Sequence, residues 1–346
     1  MNPVAFLGGP PFNYLDHLAP LSYFLKCPLI VEDYECYKLG LRHYPNVNIQ
    51  LQTINFMEIA KQYNLILLST QRTIIETKAI LQLVNANHVR FCYCHHGQSD
   101  KIAASRDLPS LSERDITLLY GERQNNMLKL NRSNKYHKFM IGNYRLAYYD
   151  KYREKLSALT KNEIFQQMDI NKKTILYAPT WTDNDNNYNS TTFFLFCEEL
   201  INKLPDNYNL IVKLHPLLER YNTAHTYKIL SYDNCKQNVR VIFNFPPIYQ
   251  LLDKIDIYLG DYSSVGYDFL YFNKPMFFLP TKKVNLHKCG MNVPSIDEFF
   301  KHIGNDQSHL SKIRKAYYNE SFSPFDQTTP LYDRFQAIDQ KVITLL

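Results

Sequence analysis

Glycine is scarce in this chain, which has only 10 glycines among 346 residues. Neither G-x-G-x-x-G nor G-x-x-x-x-G-K-[ST] occurs, so the sequence gives no support for a Gly-rich dinucleotide site or a P-loop. Long apolar runs are lacking as well, because the stretches 65–68 and 193–197 fall far short of the ~20 residues that a membrane span needs. Residues 1–17 have neither the basic nor the apolar region of a secretion signal, so we expect none.

The cysteines and the net charge exclude several classes of protein. The 7 cysteines are odd in number and follow no spacing pattern, which argues against a disulfide framework and indicates a reducing cytoplasm. The net charge of +6 is a mild excess without any block of like charge. It fits anionic small molecules or a weak preference for a membrane surface, and it is too diffuse to indicate a nucleic-acid partner.

The residues that are present suffice for packed cores, since 45% are hydrophobic and 14% aromatic. Single cores usually stop growing at about 250–300 residues, so the length predicts two domains. Short apolar strands alternate with amphipathic helices, which is typical of parallel sheets covered on both faces. The predicted strands are 4–7, 28–31, 65–68, 89–94, 174–178, 210–214, 239–242, 255–258 and 276–279, and the predicted helices are 15–25, 74–84 and 191–204.

The alternation blurs between residues 143 and 171, where we place the domain joint. We therefore predict an α/β protein of two Rossmann-like, doubly wound domains, 1–155 and 156–346, the second ending in a helical tail. In such sheets ligands bind outside the carboxyl ends of the strands, so we expect the ligand cleft between the domains.

His95-His96-Gly97 directly follows one predicted strand. A histidine at the end of a strand, followed by a glycine that frees the turn, is well placed as a general base. An ordinary loop histidine remains the alternative. A zinc site is a further hypothesis, because Cys92 and Cys94 are close to the two histidines. However, the two cysteines share one face of a covered strand, and no second Cys/His pair of suitable spacing follows. We therefore predict no metal.

Two further motifs also follow strands. Thr180 and Trp181 follow the proline that comes directly after a predicted strand. The alternative to a site here is an ordinary turn in which the tryptophan is a buried anchor. Lys213 and His215 share one face of the next strand. A cationic pair at a strand end suits a phosphate or pyrophosphate, and an exposed strand end is the alternative.

The fourth motif, Asp261-Tyr262-Ser263-Ser264, lies where a strand turns into a helix. Free backbone N–H groups and two hydroxyls at such a turn can receive a phosphate. Helix capping by Asp261 or Ser263 explains one polar residue but not three together. No G-x-S-x-G elbow surrounds either serine, so a nucleophilic serine triad is disfavoured.

Taken together, the HG at 96–97, YAPTW at 177–181, KLHP at 213–216 and GDYSS at 260–264 resemble the CDP-glycerol glycerophosphotransferase family of teichoic acid and capsule assembly. The resemblance is strongest over 174–280. It implies a GT-B architecture, with 1–155 on the acceptor side and 156–346 binding a CDP donor, and no cofactor. The residues after the HG motif, Gln98-Ser99-Asp100, depart from the family's usual Thr-Pro-Leu.

The resemblance also implies roles for single residues. His96 is expected to remove a proton from the acceptor hydroxyl, and His215 with the two serines to bind the pyrophosphate. The expected catalytic residues are His96 and His215, and the expected substrate-binding residues are Gly97, Lys101, Thr180, Trp181, Lys213, Asp261, Ser263 and Ser264.

The sequence thus predicts a transferase that moves glycerol phosphate or a related polyol phosphate from a CDP-linked alcohol to a hydroxyl of a cell-surface glycan or its precursor. The acceptor is a free or lipid-linked glycan, and the location is cytoplasmic, with peripheral contact to the cytoplasmic face of the membrane as a further expectation. The alternatives are a GT-B glycosyltransferase that uses a nucleotide sugar and a non-catalytic GT-B module that binds a nucleotide or glycan. The oligomeric state stays open.

Overall fold

The computed structural model describes residues 1–8, 12–53, 55–86, 88–99, 108, 110–129, 136–181, 191–215, 217–218, 223–234, 236–245, 247–281 and 284–344. Within these ranges the chain forms two compact units. The described residues of 1–96, 105–152 and 321–346 make up the first unit, and those of 97–104 and 153–320 make up the second.

The first unit contains a parallel sheet whose strands are connected mainly by helices. Its strands are β1 (Pro3–Leu7), β2 (Leu29–Val31), β3 (Ile49–Leu51), β4 (Leu65–Leu68), β5 (Arg90–Cys94), β6 (Ile116–Leu119) and β7 (His137–Met140). Its helices are α1 (Leu15–Leu25), α2 (Tyr34–His43), α3 (Phe56–Gln62), α4 (Gln71–Leu83), α5 (Glu122–Lys129) and α6 (Tyr144–Lys151), with α14 (Leu331–Thr344) from the end of the chain.

The second unit repeats this plan. Its strands are β8 (Lys173–Ala178), β9 (Tyr208–Lys213), β10 (Val239–Ile242), β11 (Ile257–Gly260), β12 (Met276–Phe278) and β13 (Met291–Asn292). Its helices are α7 (Arg153–Glu163), α8 (Phe193–Lys203), α9 (Thr223–Ser231), α10 (Ile248–Leu252), α11 (Ser264–Phe269), α12 (Ile296–His302) and α13 (Ser311–Ser321).

Both sheets are doubly wound. The strand order is β3-β2-β1-β4-β5-β6-β7 in the first unit and β10-β9-β8-β11-β12-β13 in the second, and every strand pair among the described residues is parallel. The order reverses between β1 and β4 in the first sheet and between β8 and β11 in the second. Such a reversal opens a crevice at the carboxyl ends of the two strands, where α/β proteins bind ligands. The prediction of two doubly wound α/β domains is confirmed.

Short polar caps explain where several helices begin. A side chain just before the first turn accepts a backbone N–H in each case, and these caps are Asp33, Asn55, Thr70, Asn143 and Ser295. Each such bond stabilises its helix by about 1 kcal/mol. The inner strands of the sheets are mostly apolar, because helices cover both faces of a parallel sheet.

The end of the chain belongs to the first unit, which corrects the expectation that 156–346 forms one domain. Phe335 is fully buried and packs edge-on against Phe139, with ring centroids 5.0 Å apart. The Ser323 N–H donates to the Tyr120 carbonyl over 2.8 Å, and Arg334 Nη2 donates to the Met140 carbonyl over 3.3 Å. The polar composition of this segment concealed the apolar stripe that docks it on the first sheet.

Among the described residues, no helix combines the length and the apolar character required to cross a bilayer.

Candidate active site

His95 and His96 follow β5 and have opposite environments. His95 is only 8% exposed, its Nε2 lies 3.1 Å from Thr117 Oγ1, and burial, with a smaller effect of His96, lowers its pKa to about 3. His96 is exposed, and its Nδ1 donates to the Ser69 carbonyl over 3.3 Å. Because a carbonyl only accepts, Nδ1 carries the proton and Nε2 keeps the lone pair that a base requires. The chemistry of a general base therefore fits His96 and not His95.

A buried polar network supports the loop that carries these histidines. The Tyr120 hydroxyl donates to the His95 carbonyl over 3.1 Å, and His17 Nδ1 lies 2.6 Å from the same hydroxyl oxygen. Burial, reinforced by the Arg145 guanidinium, lowers the pKa of His17 well below its usual value of 6.5, so its ring is neutral. The sequence did not indicate this network, because His17 and Tyr120 are 103 residues apart.

The thiols of β5 lie in the interior, and Cys94 Sγ is 3.0 Å from the Tyr144 hydroxyl, which joins the same buried network through the Tyr120 hydroxyl. Cys92 and Cys94 are almost fully buried, as their strand position predicted, and burial raises the pKa of both, that of Cys94 to about 11. Within the described ranges, no group of three or more His, Cys, Asp or Glu side chains is arranged to hold a metal ion.

Asp261 organises the ends of two strands in the second unit. Its carboxylate is fully buried and accepts the Thr180 N–H at 2.9 and 3.0 Å and the Ser263 N–H at 3.1 Å. It also accepts from Thr192 N and Oγ1, at 3.3 and 3.2 Å. Since Thr180 follows β8 and Asp261 follows β11, these bonds span the crevice where the strand order reverses. A carboxylate that is enclosed in this way positions the loops around it, and we assign it that role in place of substrate binding.

Thr180 is similarly enclosed. It is 2% exposed, and its carbonyl accepts the Thr191 hydroxyl at the start of α8. The residue therefore fixes the path of the chain after β8, and a positioning role fits it better than the expected contact with substrate.

Trp181 and His215 form a stacked pair. Their ring centroids lie 5.6 Å apart with an interplanar angle of 22°, and both side chains are half-buried. His215 Nδ1 accepts the Leu217 N–H over 3.2 Å, so the neutral ring carries its proton on Nε2. Nε2 is then a hydrogen-bond donor of the kind that a phosphate oxygen accepts. The two motifs that contain these residues follow the neighbouring strands β8 and β9.

Lys213 is the last residue of β9 and is half-buried, whereas Ile211 on the same face is fully buried. The side chain thus emerges from the sheet at its carboxyl end, the end at which His215 also lies. An ammonium group in that position adds positive charge where an anion would bind.

Ser263 and Ser264 lie at the start of α11. Ser263 is the N-cap residue and 9% exposed, and its side chain makes no capping hydrogen bond to α11. Ser264 is half-buried. The helix has only six residues, so its dipole is small. An anion would therefore be bound here mainly by the two hydroxyls and the backbone of the turn.

Gly97 approaches Ser264 closely within the second unit. Its φ is +119°, a conformation that favours glycine, and a Cβ added there would lie 2.9 Å from Ser264 Cβ. Two residues predicted for the site are thereby brought together, and no larger residue fits at position 97 without a shift. Lys101, also predicted for the site, lies outside the described residues.

His287 was not expected at this site. Its Nε2 donates to the Asp261 carbonyl oxygen over 2.9 Å, and its ring lies against Phe278 at 4.6 Å between centroids. It is 7% exposed, so it stabilises the turn after β11 from the protein interior. The segment around it, Asn285–Cys289, has no pattern that would have singled it out.

Comparison with known proteins identifies the family. Residues 146–342, more than half of the chain, match the model of the family described as CDP-glycerol:poly(glycerophosphate) glycerophosphotransferase. The chain is 37% identical over 121 residues to the teichoic acid glycerol-phosphate primase of Bacillus subtilis strain 168, covering 34% of this chain and 28% of the primase. It is 30% identical over 129 residues to the teichoic acid poly(ribitol-phosphate) polymerase of Bacillus spizizenii, covering 36% of this chain and 20% of that protein.

These matches span less than a third of either relative. The similarity of fold is more extensive, since the solved structure of the wall teichoic acid polymerase TagF superimposes with a TM-score of 0.64 over 99% of this chain and 88% of that one, at 15% identity. That structure supports the GT-B type of two parallel-sheet α/β units. The predicted family is thus confirmed, and the chain belongs to the CDP-glycerol:poly(glycerophosphate) glycerophosphotransferases.

Proposed function

We propose that the chain transfers glycerol phosphate, or a related polyol phosphate, from a CDP-linked alcohol to a hydroxyl of a cell-wall glycan or its precursor and releases CMP. The observation that carries this proposal is the family match over 146–342, which includes every residue of the three motifs at the ends of β8, β9 and β11. These three strands are neighbours in the second sheet, in the order β9-β8-β11.

The proposed chemistry is an in-line displacement at phosphorus. The acceptor oxygen forms a bond to the phosphorus that carries glycerol, while the bond from that phosphorus to the bridging oxygen breaks. The bridging oxygen leaves with the electron pair as part of CMP. His96 Nε2 takes the proton of the acceptor hydroxyl, a role supported by the hydrogen bond that keeps Nδ1 protonated.

Negative charge grows on the leaving phosphate as this bond breaks. The Nε2–H of His215, the hydroxyls of Ser263 and Ser264 and the ammonium group of Lys213 are suited to receive it, because fixed donors stabilise developing charge without having to reorganise. Trp181 holds the His215 ring by stacking. Asp261 and Thr180 fix the backbone on which these donors stand.

The cysteines and the net charge support a proposal for the location and the acceptor. The described cysteines, Cys27, Cys36, Cys92, Cys94, Cys197 and Cys289, are all free and buried, as suits a reducing compartment. We therefore propose cytoplasmic transfer in teichoic acid or capsule assembly. A lipid-linked acceptor reached by peripheral contact is supported by the net charge of +6, which favours an anionic membrane face.

A donor panel tests this function. The purified chain is incubated with labelled CDP-glycerol, CDP-ribitol and UDP-sugars together with a glycerol-terminated acceptor, and released nucleotides are separated. Release of CMP with formation of a phosphodiester supports the proposal. Release of UDP would favour a glycosyltransferase, and release of no nucleotide would favour a binding module.

His96→Gln is the matched test of the base, with the exposed His309→Gln as its control. Removing a general base lowers kcat by about 10²–10⁴-fold. Equal turnover in the two variants would contradict the assignment of His96.

A further inference from the structure

The buried network of the first unit converges on the His95 carbonyl. This carbonyl belongs to the peptide bond that joins His95 to His96, so its position sets the direction in which the backbone enters the proposed base. The Tyr120 hydroxyl donates to it over 3.1 Å, and the Cys94 thiol is directed at the same oxygen from 3.8 Å. The peptide is therefore held by donors from the ends of two neighbouring strands, β5 and β6.

We propose that Tyr120 and His17 are positioning residues for the transfer, which hold the peptide between His95 and His96 so that His96 Nε2 faces the acceptor hydroxyl. The inference rests on the proposed function and adds to its base the groups that orient it. Both residues act through the backbone and not by contact with a substrate.

The chemistry of the groups in this network determines where its protons lie. A carbonyl only accepts, so the single hydroxyl proton of Tyr120 is donated to the His95 carbonyl. The Tyr120 oxygen then accepts from His17 Nδ1, which lies 2.6 Å away. Because burial lowers the pKa of His17 well below 6.5, the ring is neutral and its proton is on Nδ1. The donors thus run in one direction, from His17 through Tyr120 to the backbone.

Tyr120 itself is packed tightly, which gives its hydroxyl a fixed position. Its ring stacks on Tyr144 at 5.7 Å between centroids with an angle of 6°, and it meets Phe322 edge-on at 5.7 Å. The Arg145 guanidinium lies over the ring at 5.5 Å and is paired with the Asp16 carboxylate at 2.8 Å. Since close-packed side chains have little room to shift, a carbonyl that is bonded to this hydroxyl is also held in place.

The His96 side chain is fixed at a second point. Its Nδ1 donates to the Ser69 carbonyl over 3.3 Å, and the Tyr14 ring lies edge-on to its own at 5.3 Å between centroids. With the backbone held at the His95 carbonyl and the ring held at Nδ1, the direction of Nε2 is determined. The bond to Ser69 is longer than the usual ~2.9–3.0 Å, so a shift of the backbone would break it first.

This arrangement matters for the rate of transfer. A general base must lie within hydrogen-bond reach of the proton that it removes, and a misplacement of about 1 Å can cost about 10²-fold in rate. The residues proposed to bind the CDP donor belong to the second unit. We therefore expect the network to affect kcat and to leave the KM for CDP-glycerol unchanged.

Tyr120→Phe tests the proposal, because it keeps the packed ring and deletes only the hydroxyl. The matched control is Tyr148→Phe, since Tyr148 is also 2% exposed, belongs to the same unit and donates to the Pro45 carbonyl over 2.7 Å. We expect kcat for CMP release to fall by about 10–100-fold in Tyr120→Phe and to stay within about twofold of the wild type in Tyr148→Phe. Equal values of kcat in the two variants would overturn the proposal.

His17→Leu and His17→Asn test the other end of the network. Leu removes the donor to Tyr120, whereas the amide nitrogen of Asn is as many bonds from Cα as Nδ1 is and can donate in its place. We expect kcat to fall about fivefold in His17→Leu and to be restored in His17→Asn. In the Tyr120→Phe background, His17→Leu should lower kcat no further, because His17 acts through the Tyr120 hydroxyl. Additive losses would overturn this order of action.

NMR of protein with ¹⁵N-labelled histidine, recorded without substrate at pH ~8, where imidazoles are neutral, reads the base itself. Signals are assigned by their loss in His96→Gln and His17→Asn. We expect His17 and His96 to carry their protons on Nδ1 in the wild type and in Tyr148→Phe, and His96 to lose this preference in Tyr120→Phe as its bond to Ser69 breaks. An unchanged His96 tautomer in Tyr120→Phe would overturn the proposal.

These readouts separate the positioning role from the proposed function. If the wild type releases no CMP from any CDP-alcohol, the transfer proposal fails, and the tautomer of His96 still decides whether Tyr120 positions its ring. If the wild type transfers glycerol phosphate and Tyr120→Phe matches Tyr148→Phe, the positioning role fails alone. Thermal unfolding of every variant verifies that it is folded.

Discussion

Replacement of Asp261 by Asn separates a positioning role from direct contact with substrate. The substitution keeps the size of the side chain, but it replaces one acceptor oxygen by an NH₂ group that cannot accept. The carboxylate now receives three backbone N–H groups, those of Thr180, Thr192 and Ser263, as well as one hydroxyl. One oxygen cannot serve all of these donors.

The magnitude follows from the two oxygens and their partners. If the amide oxygen takes the place of Oδ1, Thr180 and Ser263 keep their acceptor, but the Thr192 N–H faces an NH₂ group. If the amide is flipped, the Ser263 N–H is the one left unpaired. A buried N–H without a partner costs about 1–3 kcal/mol, and the remaining bonds weaken when the charge is lost. We therefore expect Asp261→Asn to lower the unfolding free energy of the second unit by about 2–4 kcal/mol.

Tryptophan fluorescence is the assay, because Trp181 is the single tryptophan of the chain and belongs to the second unit. Urea unfolding followed at this residue reports the unit that contains Asp261. The exposed Asp206→Asn is the control, and we expect it to change the unfolding free energy by less than about 0.5 kcal/mol. Unchanged stability of Asp261→Asn together with a loss of donor affinity would refute the positioning role and restore the contact expected from the sequence.

Three further predictions concern other residues. His215→Phe and His215→Ala should both weaken CDP-glycerol binding about tenfold or more. Only the Ala variant should change Trp181 fluorescence, because Phe retains the stack. A donor affinity equal to that of the wild type, measured by titration, would contradict this prediction. Gly97→Ala should lower kcat/KM at least tenfold through its positive φ and contact with Ser264, whereas Gly304→Ala, with nothing within 4 Å, should be neutral. The pKa of His95 is lowered to about 3 in the folded protein, so the unfolded state binds more protons between pH 6.5 and 3. The unfolding free energy measured by denaturation should therefore fall by about 1.4 kcal/mol per pH unit on acidification in this window. His95→Gln should reduce that slope.

Strand ends and motifs were accessible to sequence reasoning because they leave strong local patterns. The strands that begin near Val4, Leu65 and Thr174 are short continuous apolar runs, as expected for a parallel sheet covered on both faces. The predicted motifs follow β5, β8, β9 and β11 as expected. By contrast, β3 (Ile49–Leu51), β7 (His137–Met140) and β13 (Met291–Asn292) were missed, since they lie at sheet edges and are only partly apolar. The inner strand β6 (Ile116–Leu119) was missed as well, although it is apolar and buried.

The different roles of residues within one motif could not be predicted from residue types. Asp261 and Ser263 are two positions apart, yet the first is an enclosed acceptor and the second occupies the N-cap position of α11 without a capping bond from its side chain. His95 and His96 are adjacent, and their burial and hydrogen-bond partners, which the sequence does not show, distinguish them. Long-range partners such as the Trp181–His215 stack depend on which strands become neighbours, and that order is a property of the whole sheet.

The proposed transfer requires that the acceptor attacks the phosphorus that carries glycerol. CDP-glycerol labelled with ¹⁸O at the oxygen bridging the two phosphorus atoms tests this in one measurement, because the label shifts the ³¹P signal of whichever phosphate retains it. We expect CMP that carries the label and an unlabelled phosphodiester product. Release of CDP, or a label that stays with the transferred phosphate, would contradict it.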